Sequence, residues 1–150
     1  LFWGLMPVAG PQGLRLKRHA PRFAPAPGPR DGAVGDGPSL HLLALGDSVV
    51  DGVGCPSVGD ALPGQFAAAL AQRFGRRVHW RAHGRTGACA RELHDAVLPQ
   101  VPAGPWQLVV VSVGVNDVSG LTRPAAFADR LDRLVDGLRT RAPEATVLLC

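Results

Sequence analysis

The sequence predicts an α/β fold, a three-layer α/β/α sandwich built on a parallel sheet. Two patterns carry this. From residue 39 onward, four short apolar runs alternate with three stretches of helical periodicity. The run Leu108–Val113 (LVVVSV) is continuous and β-branched, as expected of a strand buried on both faces. Parallel strands joined by helices need right-handed crossovers, which cover both faces of the sheet. Composition agrees: 46% apolar and 19% charged residues over 150 positions suit one domain with a core. The 19 Gly and 14 Pro exclude a simple helical bundle or coiled coil.

The elements follow in order. His41–Leu45 (HLLAL) is the first strand. Residues 62–74 form a helix in which Leu62, Phe66, Leu70 and Phe74 recur every four positions, with Pro63 in its first turn and Gly75 as its C-terminal cap. Residues 77–82 (RVHWRA) alternate and make the second strand. Residues 89–98 make a short helix with Leu93 and Val97 inward, and Leu108–Val113 is the third strand. Residues 124–141 form the longest helix, opened by Pro124, with Phe127, Leu131, Leu134 and Leu138 as its stripe. Thr146–Leu149 (TVLL) starts a fourth strand. With no helix after it, that strand is an uncovered edge, so the domain over residues 38–150 reads as partial.

Residues 1–37 read differently. LFWGLMPVAG is apolar, and a basic stretch from Arg15 to Arg22 follows. Apolar-then-basic fits the end of a membrane span with its positive side inside, and equally a frayed or mis-started N-terminus. The first reading would give membrane association through this arm. It leaves two localisations, cytoplasmic or membrane-anchored facing the cytoplasm. Residues 20–38 are Pro/Gly-rich and read as an extended linker. The net charge of +4 belongs to this arm: residues 1–30 hold five basic residues and no acid, while residues 31–150 hold 11 Arg against 12 acids. A near-neutral domain with 5% aromatics and no Tyr argues against nucleic acid as a partner. Three scattered cysteines, Cys55, Cys89 and Cys150, make no disulfide framework, and no zinc spacing occurs.

In an open parallel sheet, ligands bind at the carboxyl ends of the strands. Three turns lie there: Gly46-Asp47-Ser48, Gly84-Arg85-Thr86-Gly87-Ala88 and Gly114-Val115-Asn116-Asp117. Acyl transfer needs a nucleophile and donors aimed at the developing oxyanion. Ser48 directly follows a strand and could attack. Its own N–H, one N–H from the Gly84–Ala88 turn and the Asn116 carboxamide would form a three-donor oxyanion hole. Each residue also has a plain structural reading: Ser48 as a cap or turn residue, Gly87 as a cap glycine, Asn116 as an Asx turn. Asp47 and Asp117 read as residues that hold turns. The Gly-x-Ser-x-Gly elbow, a dinucleotide fingerprint and a phosphate loop are all missing.

LALGDSVVDGVG, HGRTGA and VSVGVND resemble the first three sequence blocks of the GDSL esterases, also called SGNH hydrolases, in order and spacing. The resemblance spans residues 41–150. It implies a flavodoxin-like sheet in which the four predicted strands lie in the order 2-1-3-4, with a fifth strand and last helix missing. It implies a serine ester hydrolase acting on a small-molecule or lipid ester, with no metal or organic cofactor. Ser48 would be the nucleophile, and Gly87 and Asn116 oxyanion donors, with Gly84 a rival for the glycine role.

The family's last block, Asp-x-x-His, supplies the base and its orienting carboxylate, and these 150 residues contain no such pair. Of the five histidines, His19 lies in the basic arm, His41 and His79 lie toward strand starts, and His94 reads as a solvated helix residue. His83, at the end of the second strand, is the one conceivable substitute. The expected place of the catalytic Asp and His is beyond Cys150. The other reading is a non-catalytic binding protein on the same fold, lacking the base.

Overall fold

A computed structural model describes residues 15, 19 and 23–150 of the chain. The readings made of residues 1–14, and of the basic stretch apart from Arg15 and His19, lie outside the described residues. One five-stranded sheet organises the rest: β1 (Asp31–Val34), β2 (Ser39–Gly46), β3 (Arg77–Gly84), β4 (Leu108–Ser112) and β5 (Thr146–Leu149), in the order β1-β3-β2-β4-β5. Strands β2 to β5 pair in parallel, and they take the 2-1-3-4 order expected of the four predicted strands.

Strand β1 was not expected. It lies inside the stretch read as a linker and pairs antiparallel with β3, from Asp31 opposite Arg81 to Val34 opposite Val78. The pairing extends through the Ala82 N–H, which donates to the Arg30 carbonyl at 2.7 Å. The cause lies in the partner: the outer edge of β3 presents unpaired backbone groups, and covering them stabilises the sheet. Gly32 belongs there because the Trp80 ring lies 2.9 Å from where a Cβ would stand. Ala26 is buried, and its N–H donates to the Asp51 carbonyl at 3.1 Å. Residues 23–38 are therefore a strap bound to the domain, not a tether.

Within residues 23–150, four α-helices complete the layers: α1 (Leu62–Phe74), the single turn α2 (Ala90–Glu92), the short α3 (Val115–Ser119) and α4 (Pro124–Arg141). Helix α2 continues as a π turn over Leu93–Val97. Side chains of β2 alternate between two cores. Leu43 and Leu45, with Val109 and Val111, pack against Leu93, Val97, Leu134 and Leu138. Leu42 and Ala44, with Val78 and Val110, pack against Val50, Val58, Ala67 and Ala71. Each fully buried Leu contributes about 1.5–3 kcal/mol over leaving it exposed.

The stripe on α4 is as expected at Leu134 and Leu138, which are fully buried, while Phe127 and Leu131 are half-buried nearer the start. The stripe on α1 is not. Ala67 and Ala71 face the sheet, Leu62, Phe66 and Leu70 are half-buried at its margin, and Phe74 is 62% exposed. Small residues let α1 sit close to the sheet, and the large side chains splay to its sides. Among the described residues, no helix is long and apolar enough to cross a membrane.

Candidate active site

The turn after β2 begins at Asp47, which is buried. Its N–H donates to the Ser112 carbonyl at 3.2 Å, which ties the turn to the end of β4. Its Oδ1 accepts the Val49 N–H at 3.0 Å, closing an Asx turn around Ser48. Ser48 sits between these two residues and is half-buried.

The turn after β3 runs from Arg85 to Ala88. The Ala88 N–H donates to the Arg85 carbonyl at 3.0 Å, and Gly87 has φ +80°. A positive φ at the third position is the mark of a type II turn, which favours glycine there. A Cβ on Gly87 would meet nothing within 4 Å, so the residue faces open space. Gly84 is glycine for another reason: a Cβ there would stand 2.5 Å from the Asp51 backbone nitrogen. Close packing thus accounts for Gly84.

Asn116 follows β4 on α3. Its Nδ2 donates to the Ala88 carbonyl at 3.0 Å and lies 3.4 Å from Asp47 Oδ2. One carboxamide therefore touches the neighbour of Ser48 and the neighbour of Gly87, and the three turns meet at one edge of the sheet. Asp117 is buried; its Oδ2 accepts the Ala90 N–H at 2.8 Å at the start of α2, and its Oδ1 faces Arg130 at 3.4 Å. Both Asp47 and Asp117 hold backbone in place.

Two residues outside the sequence-derived set complete the arrangement. Asp51 is buried; its Oδ2 accepts both the N–H of Thr86, at 3.0 Å, and the Thr86 hydroxyl. Its Oδ1 pairs with Arg30 of the strap. The available signal was an acid placed between Val50 and Gly52.

His83 ends β3 half-buried, opposite Leu45, and its Nε2 is buried with no hydrogen-bond partner among the described residues. Burial pushes its imidazole below the ordinary value of 6.5, and the Arg81 and Arg30 guanidinium groups push the same way. Around the three turns the apolar side chains Val49, Val115, Val118 and Leu121 are exposed. Among the described residues no cluster of three or more His, Cys, Asp or Glu could hold a metal ion. A hollow of about 460 Å³ lies elsewhere, beside His41, His79 and Trp106 near the amino ends of the strands. The carboxyl edge remains the candidate, because Ser48 and the converging turns are there.

Known proteins resemble this chain in sequence and fold. A curated GDSL-like esterase of Mycobacterium tuberculosis is 32% identical over 113 residues, which cover 74% of this chain and 36% of that protein. The crystal structure of AlinE4, a SGNH-hydrolase family esterase, is 26% identical with a TM-score of 0.61, covering 76% of this chain and 59% of that one. A family 3 carbohydrate esterase of Clostridium thermocellum shares the fold at 18% identity and a TM-score of 0.58, over 74% of this chain and 60% of its own. This chain thus spans about a third to three fifths of the length of these relatives. Residues 44–150 match the GDSL-like Lipase/Acylhydrolase family, and the chain belongs to that family.

Proposed function

We propose that this chain supplies the nucleophile and oxyanion donors of a serine ester hydrolase, cleaving carboxylic esters or thioesters through an acyl-enzyme. The carrying observation is the Asn116 carboxamide. One of its N–H bonds serves the Ala88 carbonyl at 3.0 Å, and the other faces Asp47 only at a long 3.4 Å. The second is the one that a developing oxyanion would recruit, with the first holding the group in place.

In this reading Ser48 Oγ bonds to the acyl carbon while its proton passes to a base. The carbonyl electrons move to the oxygen, which the Ser48 and Gly87 N–H groups and Asn116 hold. The alcohol or thiol leaves with the proton, and water then repeats the attack to release the acid. His83 is the weaker choice of base, because its Nε2 is buried with no partner among the described residues. The reading draws the base from an Asp-x-x-His pair outside residues 1–150. Val49, Val115, Val118 and Leu121 beside the turns favour an apolar acyl group.

The test is hydrolysis of p-nitrophenyl acetate by a form of the protein that includes an Asp-x-x-His pair, with little turnover expected of these 150 residues alone. Ser48→Ala should abolish turnover, and Asn116→Ala should lower kcat by about 10²–10³, the usual effect of losing one oxyanion donor. Turnover that survives Ser48→Ala would overturn the proposal. Ester binding without turnover would return the non-catalytic binding protein.

A further inference from the structure

We propose that Arg30 and Asp51 are positioning residues that fix the direction of the Gly87 N–H, an inference that rests on the ester-hydrolase reading above. Turn types I and II differ by a flip of the central peptide, here the one joining Thr86 to Gly87. That same peptide carries the N–H assigned to the oxyanion. Whatever holds Thr86 therefore aims the donor.

Asp51 holds Thr86 at two points, the backbone N–H and the hydroxyl, both on Oδ2. Its own backbone packs against Gly84, where no Cβ would fit, and the Arg85 N–H donates to the Gly46 carbonyl at 3.0 Å. The turn is thus pinned at its start and at its second residue. Asp51 is buried, with a side chain 6% exposed, and burying a carboxylate without a partner is costly. Arg30 is that partner, on Oδ1. It is held in turn by its own carbonyl, which accepts the Ala82 N–H at 2.7 Å. Arg30 lies in the strap, ahead of the residues 44–150 that match the family.

The test uses the active form of the protein with Arg30→Met and Arg30→Lys. Arg30 is partly exposed, so both variants should fold. Arg30→Met should lower kcat about tenfold with KM within about twofold, since a small misplacement of a catalytic group costs up to about 10²-fold. Arg30→Lys keeps the charge and should recover most of the loss. Amide exchange, read independently of activity, should speed up at Thr86 and Ala88 in Arg30→Met and not in Arg30→Lys. Unchanged exchange at the turn, unchanged kcat, or a loss confined to KM would each overturn the positioning role. If the parent lacks Ser48-dependent turnover, the ester-hydrolase reading fails on its own. Faster exchange would then support Arg30 as the holder of the turn, and unchanged exchange would refute it.

Discussion

The parallel strands of residues 39–149 and the strap of residues 23–38 share one sheet but are held in it by different forces. The parallel strands are held by burial: Leu42, Leu43, Ala44 and Leu45 are inaccessible on a strand covered from both sides. The strap is held by backbone pairing to β3, by the buried Ala26 and by the Arg30–Asp51 ion pair. Burial writes itself into the sequence as periodicity. Pairing to another strand's edge does not, because the template is the partner.

The largest effect expected from this difference is on folding. Deleting residues 1–37 strips β3 of its outer partner and leaves the Asp51 carboxylate buried without Arg30. Arg30 is 41% exposed, so losing this pair costs less than the ~3–5 kcal/mol of a fully buried one, and the lost β1 pairing adds to it. Measured against a chain starting at residue 23, the deletion should lower the thermal midpoint by on the order of 10 °C, at about 2–4 °C per kcal/mol for this size. An unchanged midpoint would mean that the strap is passive and that the parallel strands stand alone.

The same contrast explains what the sequence disclosed. The four parallel strands and the caps at Pro63, Gly75 and Pro124 were legible, because each rests on local chemistry, and the strand order followed from the family resemblance. Three glycine-bearing turns at strand ends were legible too, since topology alone puts them on one edge. Strand β1 was hidden in DGAV, four residues too short and too mixed for any period. Asp51 was hidden because its partners, Thr86 and Arg30, lie 35 and 21 residues away. The inward face of α1 was misread because alanine carries little hydrophobic signal, whereas Phe74 carries much and points outward.

A second prediction separates the two helices whose stripes looked alike. Leu138 on α4 is fully buried against the sheet, while Phe74 on α1 is mostly exposed. Leu138→Ala should cost about 2–5 kcal/mol through lost burial and the cavity left behind. Phe74→Ala should stay within about 0.5 kcal/mol, as for surface positions generally. Chemical denaturation of the two variants measures both values. Equal losses would show that Phe74 has a burying partner.

The smallest effect concerns pH, and it falls where the two regions meet. His83 lies on β3 between the buried strand β2 and the strap, and burial first, then Arg81 and Arg30, hold its imidazole below 6.5. Well above pH 6.5 the group is neutral folded and unfolded, so it leaves stability unchanged. As the pH falls below 6.5, the unfolded chain takes up the proton first, and stability declines until the pH passes the lower folded-state value. His83→Leu should therefore flatten the fall in thermal midpoint between about pH 7 and pH 5, the range in which an ordinary histidine titrates. Arg30→Met should flatten it less, because burial and Arg81, the two larger causes, are untouched. If Arg30→Met flattened the profile as fully as His83→Leu, the charge of the strap rather than the burial of β3 would be setting the titration.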